Sequence, residues 1–202
     1  IMPSLVGSEM CIRDRLNILD GVTSTAAELN KLDGVGTLKQ AGKETIWVPA
    51  QAMTPTATNG CSTLQTVETT SGRPDMNVLD FDKDSDEFAQ FAIAFPKSWN
   101  EGTVTFQPFF TANTTNTGSA KFILAGVAVA DDGPIDAAFG TGQGTAIGFS
   151  GTANDLMVGN ESSAITIAGS PAAGEQVFFN IFRDVSADNL TADAKLLGIK
   201  LF

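Results

Sequence analysis

From residue 44 to its end the chain breaks into short apolar runs separated by Gly, Asn, Asp and Pro, and no long amphipathic helix interrupts them. That pattern constrains the fold more than any other feature. Parallel sheets need long crossover connections, usually helices, so a chain without them is confined to antiparallel pairing. The runs fall near residues 46–48, 64–69, 78–81, 88–95, 103–109, 121–129, 156–158, 165–167, 177–183 and 196–202. In the 103–109 run the alternation is clean, with Val104 and Phe106 on one face and Thr103, Thr105 and Gln107 on the other. The 121–129 run is continuously apolar around Gly126, as expected of a central strand covered on both faces. An all-β antiparallel sandwich of jelly-roll type is the predicted architecture for residues 44–202.

Charge and composition narrow the function. The net charge is −11. Residues 1–43 hold five basic and five acidic groups, so the whole excess lies in residues 44–202. Clustered Lys and Arg, which give nucleic-acid binders their affinity, are absent, and no apolar run approaches the roughly 20 residues of a membrane helix. Neither a nucleic-acid partner nor membrane insertion is expected. With no His and no Tyr, imidazole bases, His-containing triads and His-ligated zinc are unavailable. Two cysteines, Cys11 and Cys61, make no disulfide framework.

Ahead of the β region lies a repeat. Leu16-Asn17-Ile18-Leu19-Asp20-Gly21-Val22 returns as Leu29-Asn30-Lys31-Leu32-Asp33-Gly34-Val35, a spacing of 13 residues with one difference. Thr25 and Glu28 have capping-box spacing, Leu29 and Leu32 share a helical face, and Gly34 suits a helix stop. A helix of about two turns is too short to stand alone in water. Its leucines need cover, and copies of the same segment around a symmetry axis would supply it. Residues 16–35 resemble the stalk repeats of tailed-bacteriophage tail fibres, which implies a short helical stalk, a homotrimer and a place on the virion; residues 36–43 have no strong periodicity and read as a linker, so that 16–43 is a stalk repeat and linker.

Further along, Trp47-Val48-Pro49-Ala50, Thr58-Asn59-Gly60-Cys61, Val78-Leu79-Asp80-Phe81, Phe95-Pro96-Lys97-Ser98-Trp99 and Leu196-Leu197-Gly198-Ile199-Lys200 resemble a C-terminal domain of structural proteins of marine tailed phages. That resemblance brings no catalytic residues with it. Residues 1–15 are set apart from the fold: the run from Ser4 to Arg15 resembles a translated sequencing adapter, implying a metagenomic fragment whose protein continues upstream of Leu16. A final strand that runs to Phe202 without a turn suggests the same at the other end.

Several clusters invite chemistry. Asp80 to Glu87 carries carboxylates at alternate positions, but the calcium-loop template asks for Gly and Glu where Ser85 and Phe91 stand, so a solvated loop is expected. Asp131-Asp132-Gly133-Pro134 is good turn chemistry. Gly140-Thr141-Gly142-Gln143-Gly144 lacks the Lys-Ser/Thr of a phosphate loop and opens no helix, and is expected to be a mobile loop between strands. Cys61 is expected to be a small buried residue, since nothing is present to activate it. Trp47 is expected in the core. Trp99, in a turn-rich segment, is the one weak candidate for stacking on a sugar, set against packing over the core rim. No catalytic, metal or cofactor residue is expected.

The chain therefore reads as a virion structural protein, a tail-fibre or appendage fragment whose sandwich adheres to a glycan or protein on the host surface alongside other virion proteins. A capsid decoration or carbohydrate-binding module is the alternative. A polysaccharide depolymerase, which would need an Asp/Glu pair, ranks below both.

Overall fold

A computed structural model describes Thr25 and residues 44–202 apart from Ser98 and Ala173. The stalk repeat and linker expected over residues 16–43 lie outside the described residues, Thr25 apart. Among the described residues there are eleven strands: β1 (Ile46–Pro49), β2 (Thr54–Pro55), β3 (Gln65–Val67), β4 (Met76–Phe81), β5 (Phe88–Ala94), β6 (Phe106–Thr111), β7 (Gly118–Val129), β8 (Gln143–Phe149), β9 (Met157–Val158), β10 (Gln176–Arg183) and β11 (Ala194–Leu201). Single turns of 3-10 helix stand at Ala50–Ala52 and Val185–Ala187.

The strands form two antiparallel sheets, one ordered β3-β4-β11-β6-β9 with β1 also on β11, the other β2-β5-β10-β7-β8. From β4 onward the chain alternates between the sheets at every connection except β7 to β8, giving β4-β11-β6-β9 over β5-β10-β7-β8. This is the double Greek key of a jelly roll. The connections between sheets collect at two ends. Residues 82–87, 112–117, 150–156 and 184–193 share one end, tied by Lys83 N to Asp193 Oδ1 (3.1 Å), Asn116 Nδ2 to Thr191 Oγ1 (2.9 Å) and Val185 N to Asp86 Oδ1 (2.9 Å).

The core lies between the sheets because each strand buries alternate residues. In β10, Val177, Phe179, Ile181 and Arg183 point inward. Rings from opposite sheets meet there: Phe122 sits edge-on to Phe81 at 5.6 Å and tilted against Phe110 at 5.7 Å. Edge-to-face contacts of this kind add about 0.5–1.5 kcal/mol each beyond burial. Arg183 is a buried cation at a strand end, and Asp188 neutralises it through Nε to Oδ2 at 2.7 Å.

The structure departs from the sequence reading at three strands. Residues 103–105 precede β6, where Val104 makes an isolated bridge to Ile165, although Val104 and Phe106 are buried as expected. Ile165 and Ile167 are buried, with Thr166 exposed between them, but the three form no strand. The Gly140–Gly144 stretch is not a free loop. Gly140 N donates to Gly126 O at 3.1 Å, and Gln143 and Gly144 already belong to β8.

Candidate binding face on the outer side of the first sheet

Register places the outward side chains of the first sheet in rows. One row crosses β1, β11 and β6 as Trp47, Lys200 and Gln107. The next crosses β11, β6 and β9 as Gly198, Phe109 and Val158. A third crosses β4, β11 and β6 as Asp80, Lys195 and Thr111. The third row is closed: Lys195 pairs with Asp80, and Asp80 Oδ1 and Thr111 Oγ1 are buried with no hydrogen-bond partner among the described residues. The first two rows are open.

Trp47, expected in the core, is 47% exposed. Its neighbour Val48 takes the inward position, so alternation turns the indole outward onto a face that no other layer of the described residues covers. The ring is nonetheless held. It meets Phe109 edge-on, with ring centroids 5.1 Å apart. A Cβ at Gly198 would come within 2.8 Å of the indole's Cη2 and Cζ2, so the glycine makes room for the ring to lie against the sheet. Lys200 Nζ stands 5.2 Å over the Phe109 ring and pairs with no carboxylate among the described residues. Gln107 gives its Nε2 hydrogen to Gly159 O at 2.7 Å, which fixes the amide and leaves Oε1 as an acceptor. Val158, 47% exposed, extends the apolar surface beyond Phe109. The result is a fixed aromatic platform with a cation's donors and an amide acceptor in the same row.

Trp99 does not join it. Its ring stacks on Phe95 at 4.1 Å, and Phe95 in turn meets Phe179 at 6.2 Å, so Trp99 covers the rim of the core at an end of the sandwich. Near it in sequence, Glu101, Gly102 and Thr103 face Thr166, Ile167 and Gly169 across an open cleft of about 430 Å³.

Of the acidic run, Asp80 and Phe81 end β4, and residues 82–87 form an inter-strand loop. Asp82 Oδ1 accepts from Ser85 N (3.2 Å) and from Asp84 N, and Glu87 Oε2 accepts from Asp82 N (2.8 Å). Burial first, and then the charges of Asp82, Asp193 and Asp80, push the Glu87 carboxyl above its ordinary value. Across that end, the Ser186 hydroxyl and Lys121 hold Asp184 below the usual carboxylate range. Among the described residues no group of three or more His, Cys, Asp or Glu is placed to hold a metal ion. Asp132 adopts a left-handed φ of 62° in a turn closed by Gly133 N to Ala130 O at 2.9 Å, which bears out the turn reading. Cys61 is buried, and burial pushes its thiol up to about 12, far from a reactive thiolate.

No protein-family profile and no curated protein matches this chain. Among solved structures it is similar to the CBM36-1 domain of a multidomain xylanase from the hindgut metagenome of Trinervitermes trinervoides, at 14% identity over 79% of this chain and 97% of that one, with a TM-score of 0.43. A CBM36 carbohydrate-binding module in complex with calcium and xylotriose matches at 15% identity over 78% and 99%, TM-score 0.40. CBM27-1 of Caldicellulosiruptor saccharolyticus, in complex with mannohexaose, matches at 9% over 79% and 97%, TM-score 0.37.

Proposed function

We propose that residues 44–202 form a non-catalytic adhesion module that binds saccharide on the outer face of the first sheet. The observation that carries this reading is Trp47, a half-exposed indole held on a paired strand by Phe109 and Gly198. A pyranose presents one face of C–H groups and a rim of hydroxyls. The indole suits the first, and Lys200 Nζ and Gln107 Oε1 suit the second as donor and acceptor. A platform on paired strands is already ordered, so little freedom is lost on binding.

The repeat over residues 16–35 supports placing this module at the end of a virion appendage, where copies of the chain on a trimeric stalk would meet a host-surface glycan together. A capsid decoration would use the same sandwich but has no need of the repeat.

Calorimetry of the full chain against a panel of neutral and acidic polysaccharides tests the proposal. Trp47→Ala is expected to weaken binding tenfold or more with little change in melting temperature, because the ring is outside the core. Binding that survives Trp47→Ala unchanged would move the site elsewhere. A chain that binds no member of the panel would end the saccharide reading.

A further inference from the structure

Residues 44–202 hold seven cations. Four are taken by a carboxylate: Lys83 by Asp84, Lys121 by Asp184, Arg183 by Asp188 and Lys195 by Asp80. Arg73 and Lys97 stand in turns. Among the described residues, Lys200 is the one cation on a strand that no carboxylate neutralises. Its place is fixed from two sides. Register sets it directly across from Trp47 on β1 and from Gln107 on β6, and the Cβ atoms of such pairs lie about 4.5–5.5 Å apart. Its Nζ stands 5.2 Å over the Phe109 ring, whose centroid is 5.1 Å from that of the Trp47 indole. Cation–π attraction holds the ammonium there, so charge and indole flank one phenyl group. Two acidic side chains at the borders of this face are engaged elsewhere, Asp80 with Lys195 and Glu161 with the Thr105 hydroxyl.

We infer that the Trp47 platform selects a pyranose bearing a carboxylate, a uronic acid unit, and that Lys200 is the residue that selects it. The inference rests on the saccharide reading proposed above and names its substrate class. With the sugar's C–H face on the indole, substituents at the rim of the ring reach the two cross-strand neighbours. A carboxylate on Lys200 Nζ makes a charge-assisted hydrogen bond, roughly twice as strong as one from a neutral hydroxyl. Gln107 Oε1 is an acceptor, so it takes a hydroxyl and leaves the carboxylate to the ammonium. One ammonium suits one charge. Densely charged polyanions call for clustered Lys and Arg, which this face lacks, and the −11 of the chain opposes them. That opposition is weaker for an isolated carboxylate. The ammonium acts on it at contact distance, whereas salt screens charges beyond about 8 Å.

Calorimetry of the full chain against short glucuronate, mannuronate and galacturonate oligosaccharides, each beside its methyl ester, tests the selection. At least one acid is expected to bind about three- to tenfold tighter than its ester, and the preference should shrink as salt is raised. Lys200→Met keeps the apolar stem against Phe109 and should bring acid and ester to equal affinity, with the melting temperature unmoved. Lys200→Arg should retain the preference. Acid and ester bound equally by the wild type would overturn the selection and leave the platform standing. A preference that survives Lys200→Met, or neutral saccharides bound and no uronate, would do the same. A chain that binds neither uronates, esters nor neutral saccharides would overturn the platform reading along with it.

Discussion

Arg183 offers the sharpest test of how the sandwich is held. All five N–H donors of its guanidinium are engaged. Nε and Nη2 bind the two oxygens of Asp188 at 2.7 and 3.3 Å, Nη2 also meets Leu190 O at 2.7 Å, and Nη1 meets Phe81 O at 3.2 Å and Ala192 O at 2.8 Å. The cation thus ties the end of β4 in one sheet to β10 in the other and to the segment entering β11. Its side chain is fully buried, and that of Asp188 is 3% exposed. Arg183→Met leaves a carboxylate alone in the interior, at a cost of about 3–5 kcal/mol, which is a large part of the roughly 5–15 kcal/mol that holds a domain together. Replacing both partners, as Arg183→Met with Asp188→Leu, removes the lone charge and should recover at least half of that loss, since carbonyl oxygens tolerate a missing donor better than an ion does. The assay is equilibrium urea unfolding followed by tryptophan fluorescence and circular dichroism. A single variant that loses less than about 1 kcal/mol, or a double variant no better than the single, would refute the argument that the ion pair governs this corner.

Two smaller tests address the acidic end and the platform. Because the Glu87 carboxyl is raised, the folded chain binds that proton more tightly than the unfolded one, so stability falls as pH rises from the ordinary carboxylate range through the raised value. Glu87→Gln should therefore be more stable than the parent at pH 7, by less than about 1 kcal/mol because the site is only partly buried, and the gain should vanish below about pH 4, where both forms are neutral. A gain that persists at low pH would point to packing instead. Gly198→Ala drives a Cβ against the Trp47 ring and Val48 O, and should cost about 1–3 kcal/mol while shifting Trp47 emission in a Trp99→Phe background. Gly148→Ala, in open space, should cost almost nothing by the same melting assay.

Period-two alternation was legible wherever side chains differ enough to show it, and Phe88–Ala94, Gln176–Arg183 and Ala194–Leu201 stand close to where it placed them. It failed at β8, where glycines occupy alternate positions and leave nothing to read on the outward face. The inward set Thr145, Ile147 and Phe149 was the available signal. It failed differently at Trp47. Three apolar residues in a row, Ile46-Trp47-Val48, say that a strand is present but not which of its faces another layer covers.

By itself, then, the sequence determined the class of fold, the acidic character of residues 44–202 and the loss of histidine and tyrosine chemistry, because these follow from local periodicity and composition. Tertiary structure alone decided which strands became edges, which sheet face stayed bare, and which aromatic residue stands on it. Trp99 met Phe95 and closed over the core, while Trp47 met Phe109 and stayed outside. Those outcomes depend on neighbours brought from residues far away in the chain, such as Gly198 beneath the Trp47 ring, and no local pattern encodes them.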